Sequence, residues 1–216
     1  MVKHFLVTRP QHDRETSYLH SFTKPLVKLT KADPGFHISD LEGSKANRKT
    51  FENIVKKTPA GLIFLNGHGT AQAVWGHNDE PILDEDNIEC VDNAIVFAQA
   101  CKSLASLGSI AVDKGTKAYI GYNEDFMCIG DTAKSSVPDK DKLAAPFKRV
   151  THVMIRALAK GDKAGKAVAK TKEEYNKLIK TFGKSTDPYG DIPLVTFALT
   201  WNLLHLGMKG DKEAVF

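Results

Sequence analysis

Four short stretches of the chain are apolar without a polar alternation: H-F-L-V-T at 4–8, L-I-F-L at 62–65, A-I-V-F-A at 94–98 and K-A-Y-I-G-Y at 117–122. Gly, Asn and Pro bound them. Unbroken apolar runs of this length suit strands buried on both faces. Residues 25–30, P-L-V-K-L-T, form a fifth strand candidate. Between the runs the apolar positions return at helical spacing. Ser44 is placed to cap a helix over 45–57, with Phe51, Ile54 and Val55 on one face. A short helix is expected over 102–113. Phe147, Val150, Val153, Met154, Ala157 and Leu158 predict another over 145–160. Two more follow, over 163–181 and 193–206. Strands alternating with helices predict an α/β sandwich around a mostly parallel sheet. No internal repeat or linker divides the chain, so residues 1–216 read as a single domain.

The longest apolar segment, 192–207, falls short of the ~20 residues that span a bilayer. Asn202 and His205 interrupt it, and it reads as a buried helix. The N-terminal apolar run is too short for a signal peptide. Formal net charge is +4, and the lysine-rich stretch from Lys160 to Lys184 also holds Asp162, Glu173 and Glu174. That mixture reads as a solvated helical face, which argues against direct nucleic-acid binding. Three cysteines, Cys90, Cys101 and Cys128, make no disulfide framework and favour a reducing compartment. A soluble cytoplasmic protein without membrane contact is the expectation.

Two of the strand runs stop at reactive side chains. In A-G-L-I-F-L-N-G-H-G the run ends at His68, and in A-I-V-F-A-Q-A-C-K-S the next ends at Cys101. In open α/β sheets, ligands bind beyond the carboxyl ends of the strands. A nucleophilic cysteine needs a base, oxyanion donors and an exposed position on a rigid support. His68 is the candidate base. The Gly69 and Cys101 amides are the candidate oxyanion donors, and a helix starting directly after Cys101 is expected to lower the thiol pKa. No motif offers a third member to orient His68, and a backbone carbonyl would serve. Cys90 and Cys128 read as structural. His4, His12, His20, His37, His77, His152 and His205 show no metal-ligand spacing. His68 and His77 lie nine apart without a carboxylate pattern, so neither a metal nor a cofactor is expected. Residues 123–143 form a long polar loop, a length associated with functional segments.

L-I-F-L-N-G-H-G resembles the strand followed by His-Gly of the caspase-like cysteine peptidases. I-V-F-A-Q-A-C resembles their strand ending in Gln/Glu/Asp-Ala-Cys, and His precedes Cys, as in that group. A-Y-I-G-Y and W-N-L-L-H-L-G-M-K-G-D look most like the gingipain and CHAT-domain branches. The likeness spans residue 4 to about 211. Two features depart from the caspases. Lys102-Ser103 follows the Cys, and the His-to-Cys interval is 33 residues against ~50. A compact bacterial-type relative in defence or signalling fits better. The resemblance implies a caspase-like three-layer α/β/α sandwich. It implies an endopeptidase with His68 as acid/base and Cys101 as nucleophile, forming an acyl-enzyme without metal or cofactor. It implies a specificity pocket built from Arg9, Gln99, Tyr122, Glu124 and Asp125. Arg9 with Gln99 would favour an acidic substrate residue. Glu124 and Asp125 would favour a basic one, the reading preferred here, with an uncharged residue as the alternative. A protein substrate, an activating partner and processing within 123–143 are expected with it. An idle scaffold on the same fold and a small-molecule thiol amidase are the competing functions.

Overall fold

The computed structural model describes residues 2–182 and 192–216. In chain order the strands are β1 (Lys3–Arg9), β2 (Phe36–Glu42), β3 (Leu62–Asn66), β4 (Val74–Trp75), β5 (Pro81–Leu83), β6 (Ile95–Gln99), β7 (Ala118–Tyr122) and β8 (Leu206–Gly210). The helices are α1 (Arg14–Lys31), α2 (Arg48–Lys57), α3 (Leu107–Asp113), α4 (Ala145–Ala159), α5 (Ala164–Phe182) and α6 (Ile192–His205). Six strands form one sheet in the order β2-β1-β3-β6-β7-β8, parallel except for β8. β4 and β5 make a small separate ribbon.

Side chains alternate across the sheet and divide the core in two. Phe5, Val7, Leu62, Phe64, Ile95, Phe97 and Ile120 pack with residues of α1, α4, α5 and α6. Leu6, Ile63, Leu65, Val96, Ala98 and Tyr119 pack with α2, α3 and the 85–91 turns. The result is the expected α/β/α sandwich. Every residue of β3, β6 and β7 is buried, which is why their sequences are apolar without alternation. No described helix is long and apolar enough to cross a membrane.

Several local expectations need correction. Residues 25–30 belong to α1, where Leu26 and Val27 face the core. The helix begins with a capping box, Asp13 accepting from the Thr16 amide, and this start signal outweighs the β-branched run. The N-cap of α2 is Asn47, whose side chain accepts from Thr50 N; Ser44 sits in a preceding turn. α6 is not wholly buried, because Leu194, Phe197 and Leu204 are more than half exposed. The lysine-rich stretch beyond Phe182 lies outside the described residues. α3 begins only at Leu107, six residues after Cys101.

The 123–143 loop is packed rather than free-standing. Asn202, fully buried on α6, accepts from Met127 N at 2.9 Å and donates to Met127 O at 2.7 Å. Arg14 of α1 donates to Gly130 O, and Tyr18 donates to Asp141 at 2.5 Å. Residues 126–130 are thereby held between α1 and α6.

Candidate active site

Register alone brings His68 and Cys101 to one edge. Asn66 and Gln99 are directly paired on β3 and β6. His68 and Cys101 each lie two residues beyond that pair, so the chains leave the sheet side by side. The two side chains line one cavity of about 320 Å³. Two glycines allow the approach. Gly67 has φ +150°, and a Cβ there would meet Trp75 O at 1.9 Å. A Cβ on Gly69 would lie 2.4 Å from Cys101 O and 3.0 Å from Cys101 N. No side chain fits at either position without moving backbone. The Gly69–Val74 bridge uses His68 O and Thr70 N, which leaves the Gly69 amide outside it. The Gly69 and Cys101 backbones are thus in contact beside the cavity.

His68 has an orienting partner that spacing did not reveal. Its Nε2 is 2.6 Å from Asp13 Oδ2. Asp13 sits in the β1–α1 connection, and its other oxygen accepts from Thr16 N at 2.8 Å and Thr16 Oγ1 at 2.6 Å. Burial alone would raise the Asp13 pKa. The hydrogen bonds from Thr16 and His68 more than offset this and hold it down at about 2. An ionised Asp13 takes the Nε2 hydrogen of His68, which leaves Nδ1 with its lone pair free. The N-cap role of Asp13 was readable from D-R-E-T; its contact with His68 depends on how α1 docks.

Cys101 departs from expectation. Burial pushes its thiol pKa up, a Phe126 backbone hydrogen bond works against this, and the nearby Asp125 adds to the rise. The Cys101 Sγ lies 3.9 Å from that carbonyl. The expected helix start is also missing for a local reason. Lys102 adopts φ +52°, so the chain turns left-handed after the cysteine and α3 does not start beside it. Ser103 Oγ then donates to Ala98 O and anchors the turn.

The five residues expected to form the specificity pocket do not line this cavity. Arg9 is 3% exposed, and its guanidinium holds both oxygens of Asp40 at 2.7 and 2.9 Å, with Glu42 at 3.1 Å. His20 Nε2 lies 2.9 Å from its remaining terminal nitrogen. Gln99 points to the α4 side, where its Oε1 accepts from Thr151. Tyr122 is buried and bonded to Tyr175. Glu124 gives its carbonyl to Lys102 N. Asp125 stands outside the cavity in a 3.8 Å pair with Lys102 and accepts from Trp201 Nε1 on its carbonyl. The cavity walls are instead Tyr18 and Leu19 of α1 and Phe126, Met127 and Ile129, with Arg14 and Glu15 also contributing. Strand-end placement explains the misreading. Arg9 and Gln99 alternate toward the helix layer, whereas the wall comes from a loop held in place by Asn202.

A second convergence lies on the far side of His68. The ligating atoms of His12, Asp13 and His68 all fall within 4.8 Å of one another. Cys90 and Cys128, like Cys101, are unpaired. Burial raises the thiol pKa of both. No protein-family model matches the chain, and no curated protein matches it in sequence.

Proposed function

We propose that the chain is a caspase-like cysteine endopeptidase. The observation that carries this reading is the equivalent exit of His68 and Cys101 from paired strand ends into one cavity, with Asp13 fixing the His68 ring. In the proposed reaction the Cys101 thiol gives its proton to His68 Nδ1 as sulfur bonds to the scissile carbonyl carbon. The Gly69 and Cys101 amides donate to the developing oxyanion. His68 returns the proton to the leaving amine as the peptide C–N bond breaks, which leaves a thioester on Cys101. Water, deprotonated by His68, then releases the acid and the free thiol. The raised thiol pKa favours a protonated resting Cys101, which gives His68 the role of general base in this reading.

The apolar walls given by Tyr18, Leu19, Phe126, Met127 and Ile129 favour an apolar side chain before the scissile bond. This replaces the preference for a basic residue. A protein substrate fits this class of enzyme, with an activating partner acting on the 126–130 wall. We place the protein in the cytoplasm, where three unpaired thiols persist. The same raised thiol pKa favours a second reading, an idle scaffold on this fold.

Wild type and Cys101→Ala incubated with a mixed peptide library, read by mass spectrometry, separate these readings. Wild-type-only cuts after apolar residues are expected. Cuts after Lys or Arg would return Asp125 to the pocket, and cuts after Asp would return Arg9. No cuts, together with equal labelling of the three cysteines by a thiol probe, would establish the scaffold.

A further inference from the structure

Three segments distant in sequence meet beside the dyad. His12 and Asp13 come from the β1–α1 connection, His68 from the end of β3, and Asp79 from the turn between β4 and β5. His12 Nε2 is 3.6 Å from Asp13 Oδ2 and 3.2 Å from Asp79 Oδ1. His68 Nε2 approaches the same Asp13 oxygen at 2.6 Å. The His12 and His68 rings stand edge to face, with centroids 6.0 Å apart. His12 Nε2 and His68 Nε2 thus converge on one oxygen of Asp13, with Asp79 beside His12 on the outer side. We propose that His12, Asp13 and His68 bind one divalent borderline-soft cation, with Zn²⁺ as the matching ion.

The donor set suits that ion: two imidazole nitrogens with a carboxylate oxygen. Zinc–nitrogen bonds of about 2.0 Å place tetrahedral donors about 3.3 Å apart. The observed separations of 2.6 and 3.6 Å lie on either side of that value. The Asp13 carboxylate is already aimed, because Thr16 N and Thr16 Oγ1 hold its other oxygen. Such outer support orients metal ligands elsewhere. The His12 side chain is only 11% exposed and its buried Nδ1 has no hydrogen-bond partner among the described residues, so its binding capacity lies at Nε2.

The consequence for the reaction rests on the peptidase reading. A neutral imidazole bound through Nε2 carries its hydrogen on Nδ1. His68 in that state cannot accept the Cys101 proton, and the enzyme is off. The cation therefore serves as an inhibitor that competes with the Asp13–His68 hydrogen bond.

Calorimetric titration of ZnCl₂ into the full chain tests the site without reference to cleavage. Wild type and Cys101→Ala are expected to bind one Zn²⁺ with similar affinity. His12→Gln is expected to weaken binding by at least about tenfold. Asp79→Asn, at a side chain 64% exposed, removes the carboxylate that competes for His12 Nε2 and is expected to leave binding intact or tighter. Circular dichroism checks that each variant folds. Three results would each overturn the proposal: no binding by wild type, unchanged binding in His12→Gln, or binding lost in Cys101→Ala. That last pattern would put the metal on the thiol. Zinc is expected to suppress wild-type cleavage, with the suppression shifted in His12→Gln by the same factor as binding. A chain that binds zinc but cleaves nothing keeps the site and loses the peptidase reading.

Discussion

The ends of β1 and β3 are neighbours in the sheet, and each carries a basic side chain next to a carboxylate. Arg9, at the end of β1, is 3% exposed and has Asp40, Glu42 and His20 around its guanidinium. His68, just beyond β3, has a side chain 38% exposed and one carboxylate on one ring nitrogen. The first arrangement turns the guanidinium onto buried partners, so it is structural. The second fixes a ring while leaving Nδ1 free, so it is equipped for proton transfer. A charged residue at a strand end becomes chemistry only when part of its bonding capacity stays open.

The largest expected effect comes from Asp13→Asn. Asn caps helices as well as Asp does, so α1 keeps its start and stability changes little. The amide no longer takes the Nε2 hydrogen of His68, and kcat should fall by roughly 10² to 10⁴ with KM little changed. A fall in KM and kcat together with a lower melting temperature would make Asp13 merely structural. The ionic part of the Asp13 contribution should be whole above about pH 4 and fade as pH falls toward 2, because the folded carboxylate resists protonation.

Arg9→Met should act in the opposite way. It leaves Asp40 without its bidentate partner in a site where the Asp40 side chain is 8% exposed. Breaking such a pair costs about 3 kcal/mol, read as a shifted denaturation midpoint. Cleavage preference should not move. A changed preference would return Arg9 to substrate recognition.

Iodoacetamide labelling of Cys101 probes the resting dyad. The thiol pKa is raised, so the thiolate fraction should climb about tenfold per pH unit between about pH 7 and 9. A plateau below about pH 7 would instead indicate a standing thiolate–imidazolium pair. The smallest effect is expected from Asp125→Asn. Its pair with Lys102 spans 3.8 Å between half-exposed side chains and is worth less than about 1 kcal/mol. Because Asp125 raises the Cys101 pKa, this variant should label modestly faster at fixed pH.

The helix boundaries show where local pattern suffices and where it does not. α4 and α5 begin and end within about a turn of their expected bounds, because their apolar faces are repeated over several turns. α1, β2 and β8 went unread. α1 starts on polar side chains whose capping contacts carry the signal, and β2 is an edge strand with four of its residues only half-buried. The expected helix directly after Cys101 failed on one residue, Lys102, whose left-handed backbone is fixed by Glu124 O and by the turn anchored at Ser103.

The sequence by itself determined the buried strands and the placement of His68 and Cys101 beyond two of them, because strand burial and strand ends are properties of contiguous residues. Gly67 and Gly69 belonged to the same local signal. Only the tertiary structure decided who partners the pair. Asp13 reaches His68 across 55 positions, and Met127 meets Asn202 across 75. Those contacts depend on where α1 and α6 dock, and docking is settled by the whole core at once. The same packing turned Arg9 and Gln99 toward the helix layer and gave the cavity its apolar wall.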